Sequence, residues 1–225
     1  MTYDNITPAV FLERPNRFIA RVEIGGKTGA AHIKNTGRCR ELLLPGAEVW
    51  LTAPGTPGRK TAYDLVAVRK SGGAIFNVDS QAPNAAVREW LETRGFDRIV
   101  PEYRRGGSRI DFYMERGKQA FLMEVKGCTL EKDGVGYFPD APTERGVKHI
   151  EELIRAGEAG FCTALAFVIQ TEGVFEVRPN AATDPAFAAA FAAAKKAGVE
   201  ILFLPCEVAP DSLSVCRGYV PPPGF

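Results

Sequence analysis

The chain has 225 residues, of which 45% are hydrophobic and 24% are charged, and these values are ordinary for a globular protein. Such a length can form one large domain or two modest domains, each with its own core. The charge is unevenly distributed, because residues 1–82 carry 11 Lys and Arg against 7 Asp and Glu, whereas residues 83–225 carry 17 against 20. No apolar run approaches the length of about twenty residues that crosses a bilayer, which argues against a membrane-spanning helix.

The numbers and spacing of the cysteines and histidines argue against disulfide bonds and against a structural zinc site. The five cysteines are an odd number, they show no C-x-x-C spacing, and no secretory segment precedes them, so we expect reduced thiols in a cytoplasmic protein. Only His32 and His149 are available as imidazole ligands. A structural zinc site would need more partners at suitable spacing.

Residues 1–82 are predicted to form a small OB-like β-barrel. Five short segments of strand character are separated by glycine and proline turns, at residues 9–12, 17–24, 30–33, 48–52 and 63–68. The basic excess of this region suits a polyanion such as DNA.

Turns beside Pro15 and Gly37 point side chains outward, and the candidate phosphate ligands of the barrel lie there: Arg14, Arg17, Arg38 and Arg40. Phe18 or Trp50 could stack on a base, although most aromatic residues of so small a barrel belong to its core.

Residues 83–225 are predicted to form a second, α/β domain, after a boundary of turn composition at 77–83. Asn84 is the predicted N-cap of a helix that buries Val87, Trp90 and Leu91. A hairpin over 108–127 follows, then a Gly- and Pro-containing loop over 131–142. Thr143 is the predicted N-cap of the next helix, and Asp184 caps a third between buried strands at 163–170 and 199–204. Residues 217–225 are predicted to form an extended arm.

The predicted hairpin carries the strongest chemical signal. Its strands alternate, and its turn places Asp111 opposite Glu124 within about two positions, while Glu124 and Lys126 project to the same side. Neighbouring carboxylates repel unless a cation lies between them, and Mg²⁺ or Mn²⁺ prefers such oxygen ligands. Lys126 could position or help to deprotonate the water that attacks a phosphodiester, or stabilise the charge of the transition state. The alternative is a cross-strand salt bridge without catalytic function.

Other side chains are candidates for the same site. Glu102 lies one strand before Asp111 and is either a third metal ligand or a rim charge paired with Arg104 or Arg105. Gln170, at the end of a buried strand, could reach the site. The helix after Thr143 carries several polar residues away from its apolar stripe; among them, Arg145 and Lys148 are candidates for DNA phosphates and His149 for support of the site, or this is an ordinary solvated face.

Asp111 followed by Glu124-Val125-Lys126 resembles the metal-binding core of the PD-(D/E)XK nuclease superfamily, a pattern that is weak alone. Longer motifs resemble the sugar fermentation stimulation protein A family, in chain order: Arg14-Pro15-Asn16-Arg17-Phe18, Asn35-Thr36-Gly37-Arg38, Glu41-Leu42-Leu43-Leu44-Pro45-Gly46, Gly107-Ser108-Arg109-Ile110-Asp111-Phe112 and Phe138-Pro139-Asp140-Ala141-Pro142-Thr143-Glu144-Arg145-Gly146. Cys39 stands where that family usually has methionine.

The resemblance spans nearly the whole chain. It implies a cytoplasmic prokaryotic protein with an OB-like N-terminal domain, a PD-(D/E)XK nuclease-like C-terminal domain and sequence-independent DNA binding. It also implies a link to the regulation of maltose metabolism.

Two functional hypotheses follow from the residues and the resemblance together. The first is a nuclease that depends on Mg²⁺ or Mn²⁺ and acts on DNA non-specifically. The second is a DNA-binding regulatory protein whose nuclease-like core is idle. A third hypothesis, a small-molecule module linked to sugar metabolism, has no sugar-binding signature in the sequence. Intact Asp111, Glu124 and Lys126 favour the first over the second.

Overall fold

Six strands form the first domain of the computed structural model, which describes residues 1–35, 37–55, 58–222 and 224–225. The strands are β1 (Thr7–Asn16), β2 (Ile19–Ile24), β3 (Lys27–His32), β4 (Glu48–Thr52), β5 (Tyr63–Arg69) and β6 (Ile75–Asn77). Strand β1 pairs with both β2 and β4, and β5 pairs with β4. A short parallel pairing of β3 with β5 closes these five strands into a barrel.

The barrel encloses an apolar core to which every one of its five strands contributes. Phe11, Val22, Ala31, Val49 and Leu65 are all buried there. Trp50 is also buried, and the guanidinium of Arg69 lies 5.1 Å from the centre of its ring. Phe18, in contrast, is 48% exposed. Of the two candidates for base stacking, Phe18 alone presents its ring to solvent.

The second domain is built on a six-stranded sheet with helices on both faces. Its elements are α1 (Ala82–Glu92), β7 (Arg98–Arg105), β8 (Ser108–Arg116), β9 (Gln119–Cys128), β10 (Leu130–Lys132), β11 (Val135–Phe138), α2 (Glu144–Glu158), β12 (Cys162–Ile169), β13 (Val177–Pro179), α3 (Pro185–Lys196), β14 (Glu200–Ala209) and β15 (Ser212–Val215). The order of the sheet is β15-β14-β12-β9-β8-β7, with β9, β12 and β14 parallel.

Helix α1 covers one face of this sheet, where Val87 and Leu91 pack with Phe112 and Met123. Helices α2 and α3 cover the other face together with residues of β9 and β12. Because the central strands are covered on both sides, β12 is apolar along almost its whole length. The predicted architecture, an OB-like barrel followed by an α/β domain, is confirmed.

Several local expectations need correction. Residues 130–138 form the hairpin β10–β11 instead of a plain loop, and β11 pairs with β13 in a separate small sheet. Gln81, not Asn84, is the N-cap residue of α1. The chain end is not a free arm, because Phe225 is buried and packs edge-on against Phe121. Pro223, within that predicted arm, and Thr36, within a quoted motif, lie outside the described residues.

The two domains are joined by main-chain and side-chain contacts around residue 170. The amide of Asn77 donates to the carbonyl of Gln170 at 2.9 Å. The side-chain amide of Gln170 donates to the carbonyls of Asn77 and Asp79 at 3.1 and 3.2 Å, and Lys70 forms an ion pair with Glu131 at 2.6 Å. These contacts hold the barrel against the ends of β9 and β12, where Lys126 and Gly127 lie.

Candidate active site and nucleic-acid surface

The β8–β9 hairpin positions the two predicted carboxylates. Its register pairs Met114 with Phe121 and Phe112 with Met123, so one further step along each strand brings Asp111 beside Glu124. The main-chain amide of Val125 donates to Asp111 Oδ2 at 2.8 Å. The sequence restricted the strand register only to within about two positions. The structure has the register that places Asp111 and Glu124 side by side.

Asp111 is held in a site that disfavours its negative charge. Burial raises its pKa most strongly, and the neighbouring charge of Glu124 raises it further. The hydrogen bond from Val125 and one from Asn84 Nδ2, at 2.9 Å to Oδ1, offset these effects in part, yet the pKa stays above its ordinary value. Asp111 therefore lacks a sufficient positive partner within the protein.

Glu124 is buried and has two such partners. Lys126 Nζ donates to its Oε1 at 2.6 Å, and His149 Nδ1 contacts the same oxygen. Burial opposes ionisation, but the bonds to His149 and Lys126 outweigh it, and the pKa of Glu124 lies below its ordinary value. The other nitrogen of His149, Nε2, accepts from Arg145 Nε at 3.2 Å, which assigns the proton of a neutral ring to Nδ1.

Helix α2 thus brings two of the residues predicted from sequence to the carboxylates. It begins at the predicted N-cap, since Thr143 Oγ1 accepts from the amide of Gly146 at 3.1 Å. His149 contacts Glu124 of β9, and Arg145, one turn earlier, contacts His149. Lys148 points elsewhere, into a depression that it lines with Glu144, Glu151 and Asp184. The contact of Lys148 with a DNA phosphate stays a prediction. The three carboxylates around Lys148 would repel a phosphate and therefore disfavour that contact.

The donor set of the pair fits a hard divalent cation. Both side chains offer carboxylate oxygens, Asp111 keeps an uncompensated charge, and Glu124 Oε2 accepts no hydrogen bond from a described residue. Within the described ranges, no three His, Cys, Asp or Glu side chains form a metal-binding cluster. Two protein carboxylates with the remaining positions taken by water or phosphate are a common arrangement for Mg²⁺.

Two further predicted residues are engaged in other contacts. Glu102 is half exposed and forms an ion pair with Arg109 at 2.7 Å, so it resembles the rim charge of the alternative interpretation, with a different partner. Gln170 is buried, and its side-chain amide donates to the carbonyls of Asn77 and Asp79. Its Oε1 lies against Gly127. A Cβ on Gly127 would lie 2.3 Å from that oxygen, so glycine is required for this close approach.

Asn84 is a site residue that sequence reasoning missed. Its position at the start of a helix indicated a capping role, but its side-chain amide instead bonds Asp111 from the first turn of α1. No local pattern distinguishes these two uses of an asparagine. Only the packing of α1 on the sheet shows which one applies.

The four arginines predicted for DNA line one depression on the barrel, of about 410 Å³. Arg17, Arg38 and Arg40 are exposed. Arg14 differs, because its two terminal nitrogens donate to four main-chain carbonyls, those of Arg17, Asn35, Gly37 and Arg38. In this conformation Arg14 shapes the groove, and a direct contact with phosphate would require those bonds to break.

A cleft of about 250 Å³ lies next to this groove, and Gly37 lines both. It is lined by Gly37 of the barrel and by Gly127 and residues 137–143 of the second domain. Asp140 Oδ2 accepts from the amide of Arg38 at 2.8 Å and fixes the two domains to each other here. Two of the motifs quoted above, around residues 37 and 140, therefore meet at this contact.

Two family models match the chain, one described as "Sugar fermentation stimulation protein RE domain" over residues 81–212 and one as "SfsA N-terminal OB domain" over residues 12–76. The chain belongs to the sugar fermentation stimulation protein (SfsA) family. The SfsA homologue of Desulfitobacterium hafniense is 51% identical over 216 residues, which are 95% of this chain and 94% of the relative. That of Ruminiclostridium cellulolyticum is 47% identical over 212 residues, covering 92% and 93%.

A solved SfsA structure agrees with the fold. The structure of Pyrococcus furiosus SfsA in complex with Ca²⁺ has a TM-score of 0.83 and 31% sequence identity, over 96% of each chain. The membership predicted from the sequence motifs is confirmed. The helices of the described residues include none that is long and apolar enough to span a membrane.

Proposed function

We propose that this SfsA-family protein binds DNA without sequence preference and hydrolyses phosphodiester bonds at Asp111 and Glu124 with Mg²⁺ or Mn²⁺. The observation that carries the proposal is the carboxylate pair of Asp111 and buried Glu124, with Lys126 beside it. The next residue, Gly127, lines the interdomain cleft that adjoins the arginine-lined groove. The Ca²⁺ complex of the Pyrococcus furiosus relative supports a divalent cation in this family. Five free cysteines support a cytoplasmic location.

The residues of the chain divide the work in this proposal. Arg17, Arg38 and Arg40 neutralise phosphates along the groove and set the direction of the strand. Asp111 and Glu124 hold the cation, which when bound stabilises the negative charge that develops on the phosphoryl oxygens. Asn84 and the amide of Val125 fix the orientation of Asp111.

Lys126 has two possible roles at the scissile phosphate. Its ammonium group lies 2.6 Å from Glu124 Oε1, so it is held at the pair and can stabilise the charge of the transition state. It can also position the attacking water and take part in removal of its proton, which requires a neutral amine. The ion pair with Glu124 holds the side chain beside the pair and supports the first role.

The proposal is tested with supercoiled and single-stranded circular DNA, incubated with Mg²⁺, Mn²⁺ or EDTA. We expect cleavage by the wild type with either metal and none with EDTA. Asp111→Asn and Lys126→Ala should abolish cleavage and leave DNA binding intact. Lys118→Ala, which removes an exposed lysine from the β8–β9 turn, is the matched control and should cleave as the wild type does.

Substitution with arginine separates the two roles of Lys126. Arginine stays protonated, so Lys126→Arg should retain part of the activity if the lysine stabilises charge, and none if it removes a proton.

A second function is supported by a specific contact. Lys126 and His149 both bond Glu124 Oε1 and neutralise that carboxylate without a metal. A DNA-binding regulatory protein of sugar metabolism, with an idle nuclease-like core, could keep these residues for stability alone. A wild type that binds DNA with Mg²⁺ or Mn²⁺ present and cuts no single- or double-stranded substrate would contradict the nuclease and select this function.

A further inference from the structure

A second basic concavity lies on the barrel, outside the arginine-lined groove. Its volume is about 460 Å³, and its basic lining residues are His32, Lys34, Arg59 and Lys60, with Asp64 at its base and Gln81 at its rim. None of these residues lines the groove or the interdomain cleft. We call this concavity the basic pocket.

A buried carboxylate holds the cations of the basic pocket in place. Asp64 is 1% exposed and receives hydrogen bonds from both terminal nitrogens of Arg59. Lys34 Nζ and His32 Nδ1 each lie 3.4 Å from its carboxylate oxygens. Lys34 is fixed from a second side by Asp79, at 2.9 Å. Arg59 and Lys34 are therefore pre-organised, and these two charges do not have to be ordered when an anion binds.

The cations keep donors that the protein does not use. Arg59 has five N–H groups and gives three of them, to Asp64 and to the carbonyl of Thr61, so two have no partner among the described residues. Lys34 donates to Asp79 and forms an ion pair with Asp64, which leaves at least one of its three N–H groups without a partner among the described residues. Lys60 is exposed and makes no hydrogen bond or ion pair with a described residue.

The charges of the pocket favour an anion. Lys34, Arg59 and Lys60 carry three positive charges against the two negative charges of Asp64 and Asp79, even with a neutral His32. A surplus of positive charge with several converging N–H donors suits a phosphate group, whose oxygens accept from guanidinium and ammonium groups.

The pocket and the carboxylate site are connected by the start of α1. Gln81 lies one turn of α1, about 5 Å of helix rise, before Asn84. Asn84 in turn donates to Asp111 at 2.9 Å. The start of α1 thus lines the pocket at Gln81 and contacts Asp111 through Asn84, whereas the interdomain cleft is lined by Gly127, the residue after Lys126.

We propose that the basic pocket binds a phosphate group of the DNA strand next to the phosphodiester at Asp111. The inference rests on the proposed function, and it adds a second anchor on the far side of the scissile bond. The phosphate can be an internal diester of a continuous strand or the terminal monoester of a strand end. An internal diester corresponds to cleavage within a strand, and a terminal monoester to cleavage near an end.

The test is the salt dependence of DNA binding by the full chain, measured by fluorescence anisotropy. The probes are two 12-nucleotide single strands labelled at the 3′ end, one with a 5′-phosphate and one with a 5′-hydroxyl. Lys60→Glu places a carboxylate at the pocket and breaks no contact with a described residue. Lys27→Glu makes the same charge change on an exposed lysine of the barrel outside the pocket, and is the matched control.

Loss of one phosphate contact should lower the slope of log Kd against log salt by about 0.7 for a single strand, and more for the reversed charge. We expect this change for Lys60→Glu and not for Lys27→Glu. A change on both probes assigns the pocket to an internal phosphate, and a change on the 5′-phosphorylated probe alone assigns it to a strand end.

Two results would overturn the inference, and they are distinguishable. If the wild type binds both probes and Lys60→Glu has the slope of Lys27→Glu on each, the pocket takes no phosphate while DNA binding stands. If the wild type binds neither single strand, the inference fails, and its binding to duplex DNA decides whether the proposed function fails as well.

Discussion

The basic pocket and the carboxylate pair are built from the same residue types with opposite balances of charge. In the barrel, burial disfavours the charge of Asp64, but Arg59 and Lys34 outweigh it and its pKa is lowered. In the second domain, burial and Glu124 raise the pKa of Asp111, and Lys126 does not compensate for both. The first cluster has a surplus of positive charge and the second a surplus of negative charge. One therefore suits a phosphate and the other a metal cation.

The largest expected effect is on stability. Asp64→Asn leaves the partly exposed Arg59 and Lys34 without their buried anionic partner, and we expect it to lower the free energy of unfolding by about 3 kcal/mol. Asp111→Asn removes a charge that the site disfavours, so its effect without metal should be below about 1 kcal/mol. Urea denaturation in EDTA measures both. If Asp64→Asn and Asp111→Asn lose equal amounts of stability, the proposed difference in charge balance between the basic pocket and the carboxylate pair is wrong.

The arginines of the groove offer a second contrast, of intermediate size. Arg14→Ala should cost about 2–3 kcal/mol of stability, because four carbonyls lose a charged donor. Arg38→Ala keeps its main-chain bond to Asp140 and should change stability by less than about 0.5 kcal/mol.

For DNA binding we expect the reverse order, with a larger effect of Arg38→Ala than of Arg14→Ala. Arg38→Ala should lower the salt slope of duplex binding by about one unit, as should Arg17→Ala. If Arg14→Ala is stable and the salt slope of its duplex binding is reduced, Arg14 contacts a DNA phosphate after all.

A smaller effect concerns pH. The pKa of folded Asp64 is lowered, so the carboxylate stabilises the fold above the ordinary value of 3.8, and that stabilisation is lost as the pH falls toward the folded pKa. The difference in stability between wild type and Asp64→Asn should be constant from pH 7 to about pH 5. It should shrink below about pH 4. A difference that grows on acidification would contradict the sign.

These contrasts also show what a sequence can reveal. The hairpin carrying Asp111 and Glu124 was predictable, because strand alternation and a short polar turn restrict the register. The barrel was predictable for the same reason. The caps at Thr143 and Asp184 follow from local chemistry and are confirmed, since their side chains accept from Gly146 and Phe187.

Contacts between distant elements were not predictable in the same way. In the sequence, Arg14 has the same kind of turn position as the other three arginines. In the structure, it differs from them because it donates to the carbonyls of Asn35, Gly37 and Arg38. Asn84 serves Asp111 because α1 packs on that face of the sheet, and the basic pocket joins β3, the segment before β5 and the start of α1. Such juxtapositions depend on tertiary packing, which no local pattern encodes.

The central claim, that the carboxylate pair holds a divalent cation, is tested most directly by thermal unfolding with increasing Mn²⁺. A ligand that binds only the native state stabilises it, by about 2.7 kcal/mol at a concentration of 100 times its Kd. We expect the Tm of the wild type to rise with Mn²⁺ concentration, and Asp111→Asn to lose the rise. Glu92→Gln, an exposed carboxylate of α1, is the control and should keep it. A wild type whose Tm does not change in millimolar Mn²⁺, or an Asp111→Asn protein that responds as the wild type does, would contradict the account.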